Sequence, residues 1–188
     1  MITTYIAYIM IAVVLVLVVT GAILGPVLAR RRRTVEFQHT YGAEYSRAVE
    51  TAGSEKQAEE ELEGRRKHVE TLNLRPLSAD ERQRYQSDWD AVQAKFIDQP
   101  GQATIEADHL IMEVMQLRDY PVSNFEQRAA DVSVSYPALV SDYRAAHETA
   151  ARNEQHHAGT EDLRRAMLSY RSLFDELLGA KIATPEKA

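Results

Sequence analysis

The sequence contains no cysteine. This absence excludes disulfides, thiol catalysis and cysteine-based zinc sites, and it is typical of a reducing compartment without requiring one. Glycine and proline are also scarce, at eight and six in 188 residues. The glycines are scattered, so no glycine-rich phosphate loop is present, and no long flexible linker is expected apart from the tail at residues 179–188. No catalytic residue and no cofactor can be assigned on composition.

Basic residues are in deficit after residue 33. Four of the 22 basic residues form one arginine run, whereas all 28 acidic residues follow that run. The part of the chain after residue 33 therefore carries a formal charge of about −10. Nucleic-acid binding needs a basic face, so no nucleic-acid partner is expected.

Charged side chains are absent from Ile6 to Leu28, and the chain then continues into Arg30, Arg31, Arg32 and Arg33. About 23 apolar residues in a helix are long enough to cross a hydrocarbon core of about 30 Å. A cleaved signal peptide is the alternative, but its basic residues would precede the run, and its apolar region would be shorter. The pattern predicts a transmembrane helix that contacts the lipid bilayer.

The arginine run also predicts the orientation, because cytoplasmic flanks carry an excess of basic residues. We expect a single-pass protein of the cell membrane, with its N-terminus outside and its C-terminal domain in the cytoplasm. Arginines beside the membrane also attract anionic lipid. Gly21 and Gly25 form one Gly-x-x-x-Gly match, a motif that allows transmembrane helices to pair, so the oligomeric state is left undecided. The predicted division is an anchor at 1–33, a helical domain at 34–178 and a flexible tail at 179–188.

Helical periodicity predicts an all-α fold for the soluble part, a multi-helix bundle without strands. A helix continuing from the membrane is predicted from the spacing of Phe37, Tyr41, Tyr45 and Val49. The last helix, opened by Thr160, has apolar residues in heptad-like steps of four and three. These are Leu163, Met167, Tyr170, Phe174 and Leu177.

Serine residues mark the starts of three predicted helices. Ser54 precedes Gln57, Ser78 precedes Glu81 and Ser123 precedes Glu126. A serine followed three residues later by a glutamate or glutamine is typical of an N-terminal capping box. Two further helices are predicted to follow Pro100 and to begin near Pro137.

Several sequence blocks resemble a family of bacterial proteins that are known only as secreted or membrane proteins of undetermined activity. The resemblance covers most of residues 36–178 and implies no activity, cofactor or catalytic residue. The blocks are Tyr41–Tyr45, Leu74–Ser78, Asp119–Val122, Phe125–Asp131, Tyr143–His147 and Thr160–Arg164.

Two histidine-containing patterns contain residue types that bind metal ions. Glu106-x-x-His109 matches one element of the carboxylate di-metal bundles, but those sites need two such elements and two more glutamates. His156 and His157 with Glu154 lie in a predicted loop. The ordinary interpretation is that this loop is solvated and binds no metal ion. No metal site is predicted, and a ligand- or metal-binding enzyme with a site near Glu106 and His109 is the alternative function.

The region from Asp119 to His147 combines polar and aromatic side chains. One interpretation is a structural network in which Arg128 pairs with Asp131 one turn away. The other is a recognition surface for a protein partner at the membrane, since tyrosine and arginine often anchor interfaces. The leading function hypothesis is a membrane-tethered interaction or scaffold module. Its predicted binding face comprises Tyr120, Phe125, Arg128, Asp131, Tyr143, Arg144 and His147.

Overall fold

The computed structural model describes Leu15, Thr20 and residues 30–155 and 157–179. Every regular element in this part of the chain is an α-helix, so the predicted all-α class is confirmed. The chain divides into two compact units, residues 1–40 and 41–188. The helices are α1 (30–41), α2 (Ala43–Ala52), α3 (Glu55–Thr71), α4 (Ala79–Lys95), α5 (Pro100–Leu117), α6 (Phe125–Ser135), α7 (Val140–Glu154) and α8 (Thr160–Gly179).

The predicted anchor from Ile6 to Leu28 lies outside the described residues, except for Leu15 and Thr20. Among the helices that the structure describes, none is both long enough and apolar enough to cross a membrane. The anchor, its orientation and the predicted flexible tail therefore stay predictions.

The helix that was predicted to run through Phe37, Tyr41, Tyr45 and Val49 is interrupted at Gly42. Gly42 has φ 51° and ψ −123° and separates α1 from α2. A side chain strongly disfavours this backbone conformation, whereas glycine adopts it readily. The prediction was wrong here because the apolar spacing is the same on both sides of a single turn residue.

The main core lies where α8 packs against α7 and α5, and α4 packs against α5. All five residues of the predicted α8 stripe are buried, as heptad-like spacing requires of a bundle helix. The only tryptophan, Trp89 of α4, stacks on Phe174 of α8 with ring centroids 4.8 Å apart. Such an aromatic pair adds specific geometry to the burial of apolar area.

The observed N-caps can be compared with the three predicted serine caps. Ser78 and Glu81 form the predicted capping box. The Ser54 side chain accepts a hydrogen bond from the backbone N–H of Gln57. At α6 the prediction was off by one residue, because Asn124 accepts the hydrogen bond from Gln127 N at 3.2 Å. Helix α7 begins at Val140, three residues after Pro137 and close to the predicted start. Asparagine caps a helix as well as serine does, which makes adjacent candidates hard to separate.

The remaining contacts position the polar side chains. Helix α2 packs against α3 and also touches α7, while α3 packs against α6. Charged side chains on these helices therefore face one another across helix boundaries, instead of facing solvent alone.

Candidate functional site

A buried glutamate joins three helices. Glu44 of α2 has a side chain that is only 1% exposed. Its Oε1 lies 2.7 Å from Arg65 Nη1 of α3 and 3.3 Å from Arg144 Nη2 of α7. A buried carboxylate needs such partners, because an unpaired charge away from water is costly. Sequence reasoning missed Glu44, although it lies on the stripe of Tyr41 and Ala48, which are also buried.

The two arginines extend this contact into a network. Arg65 Nη1 also donates to Ser133 Oγ at 3.2 Å, and its Nη2 donates to a carboxylate of its own helix. Arg144 Nη1 binds Glu126 Oε2 at 2.7 Å. Burial opposes charge on Arg65, but the hydrogen bonds that it donates to Glu44 and Glu61 outweigh that effect and raise the pKa of the guanidinium. The network therefore ties α2, α3, α6 and α7 together through charged hydrogen bonds.

An aromatic cluster lies beside the network, at the junction of α6 and α7. Phe125 stacks on His147 with ring centroids 3.6 Å apart and lies 5.3 Å from the ring of Tyr143. Arg128 is placed over the Phe125 ring, donates from Nε to Tyr143 Oη at 3.3 Å and donates from Nη1 to the carbonyl of Val122 at 3.0 Å. Burial raises the pKa of Tyr143 to about 12, so its hydroxyl stays protonated at neutral pH.

Helix α5 contributes a carboxylate to this cluster. Asp108 Oδ2 lies 3.2 Å from His147 Nδ1, a hydrogen bond that fixes the orientation of the imidazole ring. Burial, followed by the nearby Asp108 carboxylate, raises the pKa of Tyr170. The His147 side chain is 30% exposed and that of Asp108 is 14% exposed, so the imidazole ring is the more accessible member of this pair.

The predicted pairing of Arg128 with Asp131 was wrong. Arg128 donates to Tyr143 and Val122, and no ion pair joins it to Asp131 in the part of the chain that the structure describes. Asp131 instead accepts from Gln127 Nε2 at 2.8 Å and faces His68. The two side chains are one turn apart on α6, but each is engaged by a different neighbour. Burial raises the pKa of Asp131.

Most of the predicted binding face lies in the interior. Phe125, Arg128, Tyr143, Arg144 and His147 do come together at the α6–α7 junction. Tyr120 bonds instead to Ser135 Oγ at 3.3 Å, and Asp131 faces α3. The side chains of the face that are partly exposed are Phe125 and His147, while the other five residues are buried. Binding of a partner by this face stays a prediction, and it now depends on the partly exposed side chains of Phe125 and His147.

The side chains of the alternative site are placed apart from this cluster. Lys95 Nζ contacts both carboxylate oxygens of Glu106 at 2.6 Å, and Gln102 also donates to it. His109 is exposed on α5, and His157 is exposed before α8, whereas His156 lies outside the described residues. No group of three metal-ligating side chains occurs among the residues that the structure describes. The Glu106 carboxylate is thus engaged by a lysine, and a metal ion would have to displace it.

Comparison with known proteins adds no family to this geometry: no family model, curated protein or solved structure matches the chain. The resemblance to the bacterial family therefore stays a prediction. The arrangement itself defines a class, an α-helical bundle that is organised around buried, charged hydrogen bonds between helices.

Proposed function

We propose that the protein is a single-pass, membrane-tethered interaction module whose helical domain binds a protein partner at the cytoplasmic face. The observation that carries this proposal is the charge-free run from Ile6 to Leu28, followed directly by four arginines. The arginines are exposed at the start of the described part of α1, where a basic flank would meet lipid headgroups. An acidic domain without cysteine is consistent with the cytoplasmic side.

Tethering would favour binding without any increase in intrinsic affinity. A domain confined near a surface meets other proteins of that membrane at a raised effective concentration. A modest binding face is then sufficient, which suits a bundle whose tyrosines and arginines are used largely in its own interior.

The rim of the aromatic cluster is the proposed binding face. We call it the α6–α7 rim. It is defined by Phe125, Glu126 and His147, together with Arg47 of α2, which pairs with Glu126. Side chains of Arg47 and Glu126 are 49% and 65% exposed and lie 3.6 Å apart. An aromatic ring flanked by charges of both signs has the composition of an interface anchor with a polar border.

Cross-linking in native membranes, followed by mass spectrometry, tests this proposal. We expect cross-links from the α6–α7 rim to one membrane-associated protein, and we expect Arg47→Glu to reduce their yield at least about tenfold, the equivalent of one interface anchor. Arg47 is a suitable position because its ion pair with Glu126 is exposed and contributes little to folding.

Arg164→Glu is the matched control, because Arg164 is similarly exposed, at 54%, and pairs with Glu161 of its own helix, α8. Equal loss with both variants, or cross-links that avoid the rim altogether, would contradict the proposed face. A reporter that is active only outside the cytoplasm, fused to the C-terminus, tests the orientation separately and should stay inactive.

A further inference from the structure

The contact between α3 and α6 contains a buried carboxylate that lacks a full set of partners. The Asp131 side chain is 0% exposed. Its Oδ1 accepts from Gln127 Nε2, but its Oδ2 is buried without a hydrogen-bond partner. A buried oxygen that has given up water without gaining a donor destabilises the fold.

A histidine faces this carboxylate from the last turn of α3. His68 Nε2 lies 3.7 Å from Asp131 Oδ1 and is itself without a hydrogen-bond partner. This separation is too long for a hydrogen bond, although it is short enough for an ion pair. The histidine side chain is 41% exposed as a whole, whereas its Nε2 atom is buried at the contact with Asp131.

We propose that His68 and Asp131 form a proton-operated latch between α3 and α6. With the His68 ring protonated, a small movement of the exposed side chain closes a charged hydrogen bond to the buried carboxylate. With the ring neutral, the contact stays open, and Gln127 remains the hydrogen-bond donor to Asp131 Oδ1. A positive charge in the last turn of α3 also interacts favourably with the helix dipole.

The other groups around Asp131 do not replace the histidine. Arg65, on the same face of α3, is held by Glu44 at 2.7 Å and by Glu61 at 2.6 Å. Tyr120, from the segment between α5 and α6, is a further titratable group near this contact: burial raises its pKa, and the Asp131 carboxylate adds to that effect. Its hydroxyl is bonded to Ser135. The one charge that can be switched near neutral pH at this contact is therefore that of His68.

The sign of the pH dependence follows from both partners. Burial raises the pKa of Asp131, so the folded protein holds that proton more tightly than the unfolded chain does. This contribution to stability falls as pH rises above the ordinary value of 3.8. The latch acts in the same direction, because it requires the protonated imidazole and opens when rising pH removes that proton. Its contribution should be largest near pH 6.

Thermal unfolding of the full-length protein in detergent micelles tests the latch, with Trp89 fluorescence as the signal. Trp89 is the single tryptophan and is buried in the bundle. We expect His68→Gln to lower Tm by about 2–4 °C at pH 6 and to have no measurable effect at pH 8. In an Asp131→Asn background the same substitution should have no effect at either pH. His68→Lys, which keeps a positive charge, should retain the wild-type Tm of pH 6 at pH 8.

His157→Gln is the control, because His157 is an exposed histidine away from this contact, and it should not change the pH dependence. An equal loss from His68→Gln at both pH values would contradict the latch, and so would a loss that persists beside Asp131→Asn. If Asp131→Asn does not fold, His68→Gln and His68→Lys decide the question between them.

Discussion

At the scale of single residues, Glu44 is the side chain on which the interhelical network depends. Its carboxylate is buried between Arg65 and Arg144, and removing it would leave two guanidinium groups with one partner fewer. Loss of one member of a buried ion pair typically costs about 3–5 kcal/mol. We expect Glu44→Ala to lower the free energy of unfolding by about that amount, as measured by denaturant titration.

The control for this substitution is Glu161→Ala. Glu161 also pairs with arginine, but both side chains are more than half exposed, at 62% and 54%. Exposed pairs contribute less than about 1 kcal/mol. If the two variants were destabilised equally, Glu44 would not have the role that its burial indicates.

Single residues also show why the binding face was predicted incompletely from the sequence. Tyr143 and Arg128 carry the polar and aromatic pattern of an interface, yet each is used inside the bundle. Sequence patterns report residue type and spacing, and a buried network uses the same types as a binding surface does. The partners are 15 residues apart along the chain, so only the packing of α6 on α7 shows which use applies.

At the scale of helices, local signals were predicted well. The capping box of Ser78 and Glu81 was predictable because its hydrogen bonds join residues three apart. The apolar stripe of α8 was predictable because a helix repeats its face at regular spacing. The break at Gly42 was not, since it depends on one backbone conformation that neighbouring residues do not specify.

Two helical glycines differ in the space that is available for a side chain, and this difference leads to a prediction at the scale of helices. Gly64, within α3, has no atom within 4 Å of the position that a Cβ would occupy, whereas a Cβ on Gly101 of α5 would lie 2.7 Å from the Asn153 amide of α7. Alanine stabilises an open helical site by about 1 kcal/mol relative to glycine. We therefore expect Gly64→Ala to raise the free energy of unfolding by about 0.5–1 kcal/mol.

Gly101→Ala should give less than this, or a loss, because the Asn153 side chain must move. Repeating Gly101→Ala in an Asn153→Ala background should restore the gain, which a double-mutant cycle measures. An identical effect of Gly101→Ala in both backgrounds would show that Asn153 does not limit the approach of α5 to α7.

At the scale of the whole molecule, charge is distributed unevenly along the chain. The described part of α1 begins with exposed arginines, and about ten more acidic than basic residues follow. Inside the bundle, charges are arranged in contacts between helices, from the Glu44 network to the pair of Asp131 and His68. A domain of this kind gains specific packing from its charged groups, and the proposed partner would meet only a limited rim.

Membrane attachment is the central claim, and extraction of native membranes with alkaline carbonate tests it most directly. A chain that spans the bilayer through Ile6 to Leu28 should stay entirely in the membrane pellet. A variant with Leu15→Arg and Val19→Arg should be released, because each arginine near the centre of a span costs about 2.5–3.5 kcal/mol. Release of the unmodified protein by carbonate would contradict the account.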